Sequence, residues 1–129
     1  MTMSISKELD PLDILLKLLS SGRFDYSDEK YCQEQISSFL TGFKVNHIKE
    51  FCLGRNGVCD FYFPRSQLVL EVKAGKAWSK MEVYRQCEKY LQHKDVKGLL
   101  LATGKIQGMP ASINGKPVKV LQLGIGFLQ

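Results

Sequence analysis

Apolar residues recur along this chain with two different periods, and the switch between them divides it into helices and strands. Leu12, Leu15, Leu16 and Leu19 fall at helical spacing after Asp10-Pro11, a capping residue followed by proline at the first helical position. This pattern predicts a helix ended by Gly22, with Ile14 and Leu18 widening its apolar face. A second helix is expected from Ser27 or Asp28 to Gly42, its stripe formed by Cys32, Ile36, Phe39 and Leu40. Period two then takes over, and strands are predicted at 43–52, 58–63 and 68–73. A third helix is expected over 79–93, capped by Ser79. "VKGLLLATG" is a continuous apolar run closed by Gly104, the mark of a buried strand. A loop carrying Asn114-Gly115 precedes a last short strand, "VKVLQL". The order α, α, β, β, β, α, β, loop, β predicts an α/β (α+β) fold, a mixed central sheet flanked by helices, and no internal repeat.

One strand carries an unusual load. In "LVLEVK" (68–73), Leu68, Leu70 and Val72 take one face while Val69, Glu71 and Lys73 take the other. Glu71 and Lys73 therefore point the same way, about 7 Å apart at the usual rise per residue. The preceding strand, "VCDFYF", adds Asp60. Charges on a strand that must pack cost stability unless they are paired, solvated or bound to a metal.

Composition changes the picture in only two respects. The 129 residues fit one domain, with 44% hydrophobic and 24% charged residues as in an ordinary globular protein. No apolar stretch reaches the roughly 20 residues that span a bilayer. The N-terminus carries acids where an export signal needs basic residues, so an intracellular (cytoplasmic) protein is expected. Charge is unevenly divided. Residues 1–71 hold 8 basic and 10 acidic residues, whereas residues 72–129 hold 10 and 3. A basic C-terminal half suits a polyanionic partner. Cys32, Cys52, Cys59 and Cys87 are far apart with no CxxC pair, so free thiols are expected.

Two carboxylates near the ends of adjacent strands, with a lysine two residues after the second, make a workable hydrolytic metal site. Mg²⁺ and Mn²⁺ favour oxygen ligands, and Mg²⁺ keeps several waters. Asp60 and Glu71 would supply carboxylates, and the backbone carbonyl of Val72 another oxygen. Lys73 could hold or help deprotonate an attacking water and offset charge on a phosphate. No residue pairs with a neighbouring base as a covalent nucleophile, which leaves metal-activated water. "AGKA" (74–77) and "ATGK" (102–105) lack the earlier glycine and following Ser/Thr of a phosphate-binding loop, which argues against nucleoside triphosphate binding.

"CDFYFPRSQLVLEVK" resembles the D-x(n)-ExK core of the PD-(D/E)XK nuclease superfamily, the restriction-endonuclease-like fold. The element order from 27 to about 123 agrees with that fold's core, leaving 1–26 as an N-terminal helical extension of a single nuclease-like domain. Gln86 and Tyr90 in "RQCEKY" are similar to the QxxxY motif of RecB-type members, on the helix where the family places it. Cys59 stands where the motif has proline. The resemblance implies a Mg²⁺- or Mn²⁺-dependent endo- or exodeoxyribonuclease, of a kind frequent in phages and mobile elements. It also implies an acid on the helix before the strands. Glu29 lies on the apolar stripe and Glu34 nearly opposite it, so Glu29 is favoured, against the alternative of a simple first-turn acid. No cysteine follows Cys87, so no iron–sulfur cluster is expected.

In the same resemblance, Gln86 would orient the phosphate or a water, and Tyr90 would hold the edge of the site. Lys76, Lys80, Arg85 and Lys89 could contact phosphates of DNA, with RNA also open, or could form a solvated helix face. Trp78 could stack on a base or simply pack. Two other readings stay open: a non-catalytic nucleic-acid-binding domain of the same fold, and a Holliday-junction-type resolvase. The N-terminal helix could serve a homodimer or the core.

Overall fold

In the computed structural model the described residues are 10–75 and 78–124; Lys76, and with it part of the 74–77 stretch, lies outside them. Helix α1 (Pro11–Ser20) starts where the sequence says it should, the Asp10 carboxylate accepting from the Leu12 N–H. Helix α2 (Glu29–Gly42) is capped by Asp28, which accepts from the Lys30 N–H. Its end is built on Lys44. The Val45 N–H reaches the Leu40 carbonyl while Lys44 takes the left-handed conformation, φ 59°. This turn consumes residues 43–47, so β1 runs only over Ile48–Cys52, shorter than the 43–52 expected. A single 3-10 turn, Gly54–Asn56, leads into β2 (Val58–Phe63), and β3 spans Leu68–Lys73.

Helix α3 (Lys80–Tyr90) has a full capping box between Ser79 and Glu82 and ends three residues before the expected boundary. Strand β4 (Gly98–Thr103) is buried along its whole length. The loop around Asn114-Gly115 is a hairpin turn between β5 (Ser112–Ile113) and β6 (Lys116–Gln122), both turn residues having positive φ. Two residues are too few to leave a periodic signal, so β5 was not foreseen.

The six strands form one sheet in the order β1-β2-β3-β4-β6-β5. Strands β1, β2 and β3 make an antiparallel meander, whereas β3, β4 and β6 run parallel. Both faces are covered, which is why β4 is apolar throughout. Helices α1 and α2 bury Leu12, Leu19, Ile36 and Leu40 against Leu70 and Leu100 on one face. Helix α3 buries Val83, Cys87 and Tyr90 against Val69, Leu99 and Leu101 on the other. The α1 segment is thus part of the main core, lying on β6 and β4 and tied by the Lys119–Asp13 ion pair at 3.0 Å; Ile14 remains about half exposed. No helix among the described residues is long and apolar enough to cross a membrane.

A lysine in the left-handed region at a helix end carries a cost that glycine does not. Lys44→Gly is expected to raise stability by about 0.5–1 kcal/mol, read as a higher urea midpoint with an unchanged slope.

Candidate active site

The ladder between β2 and β3 pairs Phe63, Tyr62 and Phe61 with Leu68, Val69 and Leu70, and stops there. At the next position the Val72 N–H is taken by the Asp60 carboxylate, Oδ2, at 2.7 Å. A side chain thus replaces a backbone partner, and the alternation of β2 slips. Phe61 and Phe63 sit in the core under α1 and α2, whereas Cys59 sits under α3. The N–H and C=O of one strand residue point to the same edge. The Val72 carbonyl therefore faces the opening beside Asp60.

Around this opening the charged residues converge. Glu71 is only 2% exposed. Its Oε1 accepts from the Asp60 backbone N–H at 3.3 Å, and its Oε2 pairs with Lys73 Nζ at 3.1 Å. The Asp60 and Glu71 carboxyls lie close enough for the charge of Asp60 to act on Glu71. Burial, then the charge of Asp60, pushes Glu71 up to about 8. Burial also raises Asp60, although the Val72 N–H and Lys73 act in the opposite direction. For Lys73, burial favours the neutral amine, but the charges of Glu71, Glu29 and Asp60 outweigh it and hold it protonated.

The first-helix acid next to these groups is Glu29. It is raised chiefly by burial, with the charge of Lys73 acting in the opposite direction and that of Asp60 adding to the rise. Glu34 is exposed and lines a separate pocket with Arg23 and Gln35. Glu50 was not anticipated. It lies between the β1–β2 pairs Lys49–Phe61 and Phe51–Cys59, opposite Asp60, has a φ of 50°, and its charge acts on Asp60. Only strand register brings it there, and register is not legible in the sequence of one strand.

The remaining residues line a cleft of about 450 Å³ between α3 and the turn after β1. Lys73, Trp78, Arg85, Gln86, Lys89 and Tyr90 all contribute, together with Glu82. Lys80 does not line it; its side chain is exposed and its carbonyl accepts from Gln107 Nε2 at 3.0 Å. The two walls are bonded together. The Tyr90 hydroxyl donates to the Val58 carbonyl at 2.8 Å, and Asn56 Nδ2 donates to the Lys89 carbonyl at 2.8 Å. Tyr90 also interacts with Glu71, and burial, Glu71 and Asp60 all raise its pKa.

The oxygen-rich donor set of Asp60, Glu71 and the Val72 carbonyl fits a hard divalent cation. Burial pushes the adjacent Cys59 and Cys87 thiols up to about 12, which keeps them protonated and unsuited to a soft metal. Among the described residues no three or more His, Cys, Asp and Glu side chains are grouped as a metal cage. A cation here would depend on two carboxylates, a carbonyl and water, the usual arrangement for Mg²⁺.

Comparison with known proteins finds no matching family model, no similar curated protein and no similar solved structure.

Glu29, Asp60 and Glu71 outnumber Lys73, so the site stores unfavourable charge when no cation is bound. Because the folded Glu71 value lies above the unfolded one, its contribution is fully favourable below about pH 4.5 and is lost as pH rises through about 8. In chelator, Glu71→Gln is expected to raise the thermal midpoint by a few degrees at pH 8. The gain should shrink towards pH 5, as followed by circular dichroism across that range.

Proposed function

We propose that this protein is a metal-dependent nuclease that hydrolyses phosphodiester bonds of DNA with a metal-activated water. The observation that carries the reading is the convergence of Asp60, Glu71 and Lys73 at the opening between β2 and β3, beside a cleft edged by Arg85 and Lys89. Helix α2, the β1–β3 meander, α3 and β4 follow the order of a restriction-endonuclease-like core, which supports that finer assignment of the mixed α/β fold.

Each residue then has a task. Asp60, Glu71 and the Val72 carbonyl would hold a Mg²⁺ or Mn²⁺ ion, and Glu29 would face it from the α2 side through water. The chemistry such an ion supplies is a water acidic enough to attack phosphorus near neutral pH, with charge compensation for the phosphate. Lys73, kept protonated by its acidic neighbours, donates to the attacking water or the non-bridging phosphate oxygens. Gln86 orients the phosphate from α3. Tyr90 fixes the wall that carries β2, so that Asp60 keeps its position against Val72. Arg85 and Lys89 contact flanking phosphates.

A second reading, a non-catalytic nucleic-acid-binding domain, is favoured by one observation: both Glu71 oxygens already have partners within the protein. Cleavage separates the two. Labelled single-stranded, duplex, flapped and four-way-junction DNA, incubated with Mg²⁺, Mn²⁺ or chelator, should be cut only with metal. Asp60→Asn and Lys73→Met should each lower the rate by about a hundredfold or more while the proteins remain folded. Folded wild type that binds DNA without cutting any of these substrates would establish the binding domain instead.

A further inference from the structure

We propose that the mouth of the cleft carries an apolar wedge, Ile106 with Met81, that sits against the last base pair of a duplex and directs one unpaired strand towards Asp60 and Glu71. The inference rests on the nuclease reading and specifies its substrate: DNA at a junction between duplex and single strand.

Ile106 is 80% exposed and Met81 57%, the former being the most exposed large apolar side chain among the described residues. Neither contributes to a core. Both are nevertheless held in place. The segment carrying Ile106 is fastened to the start of α3 on either side of it. Lys105 Nζ lies 4.9 Å from the centre of the Trp78 ring, and Gln107 Nε2 donates to the Lys80 carbonyl at 3.0 Å. Ile106 and Met81 are each one residue from the partners of that hydrogen bond. The structure thus presents two large exposed apolar side chains in sequence-distant segments that are joined at the start of α3.

The neighbouring residue links this surface to the site. Trp78 lines the cleft together with Lys73. A cleft of about 450 Å³ matches a nucleotide rather than a double helix, so a strand that enters it would leave its partner outside. Apolar side chains at the point of separation replace the stacking that the terminal base pair loses. The Trp78 Nε1–H and the Gln107 Oε1 are buried without hydrogen-bond partners. The fastening of the segment is therefore incomplete in the free protein, and a small adjustment on binding would relieve it. The charge of the exposed Lys80 suits the phosphates of a fork rather than an apolar protein partner.

Trp78 is the only tryptophan in the chain, so its fluorescence reports occupancy of the cleft. In chelator, where nothing is cut, a forked DNA, a blunt duplex and a single strand would be titrated against the full chain. Labelled-DNA anisotropy and Trp78 emission would be followed together. The fork should bind about fivefold or more tightly than the blunt duplex and change the Trp78 emission, which the duplex should not. The double variant Ile106→Ser, Met81→Ser should lose that preference while keeping the wild-type thermal midpoint, since both side chains are exposed. Equal binding of fork and duplex by wild type, or a preference that survives in the variant, overturns the wedge. Metal-dependent cutting without fork preference overturns the wedge alone. Fork preference in a protein that never cuts supports the wedge and removes the nuclease reading.

Discussion

The hydrogen bond from the Val72 N–H to the Asp60 carboxylate is the contact on which the rest of the site depends. A backbone N–H in mid-sheet would ordinarily pair with the neighbouring strand, and leaving it without a partner would cost about 1–3 kcal/mol. Asp60 satisfies it with a side chain. The ladder can then end at Phe61–Leu70 while β2 and β3 both continue. The opening exposes one edge of β3 to the Asp60 carboxylate, brings the Asp60 N–H within reach of Glu71, and turns Cys59 towards the core under α3.

The charges gathered there work against the stability of the free protein. Glu71 is almost wholly buried, and one lysine faces three acids. Such a cluster offsets its own desolvation poorly. What holds it is the framework on either side. Strands β3, β4 and β6 form a parallel array covered on both faces, and α3 is bound to the turn after β1 through Asn56 and Tyr90. Rigid elements on two sides leave Asp60 and Glu71 little freedom to move apart. A divalent cation between the carboxylates would offset their mutual repulsion and convert a repulsive group into an attractive one.

The two ends of α3 have different parts in this arrangement. Its C-terminal end, through Tyr90 and Lys89, closes the cleft on the β2 side. Its N-terminal end is engaged by the 105–107 segment and carries Met81 outwards. Gln86 and Arg85 lie between them on the cleft side, while Val83 and Cys87 face the core. One helix therefore joins core, site and mouth, with its faces divided by the 3.6-residue period.

Much of this was written locally. The caps at Asp10, Asp28 and Ser79, the period-two run of Leu68 to Lys73 and the apolar run of β4 depend on neighbours a few residues away, and they fixed the helices, the strands and the shared face of Glu71 and Lys73. Likewise, the position of Glu29 on its helical stripe already aimed it inward. Three other features depend on distant partners and carry no local signal. The short β1 follows from the left-handed turn at Lys44, which glycine-seeking rules pass over. The opening at Asp60 and the approach of Glu50 depend on the register between strands, which the alternation within each one does not specify. The fastening of the 105–107 segment to the start of α3 joins residues 27 apart in the chain, Gln107 to Lys80, with Lys105 over Trp78. Sequence alone determined which residues could do chemistry, because residue type and period are local properties. Tertiary structure decided which of them meet, because pairing register and loop docking are set by packing across the whole sheet.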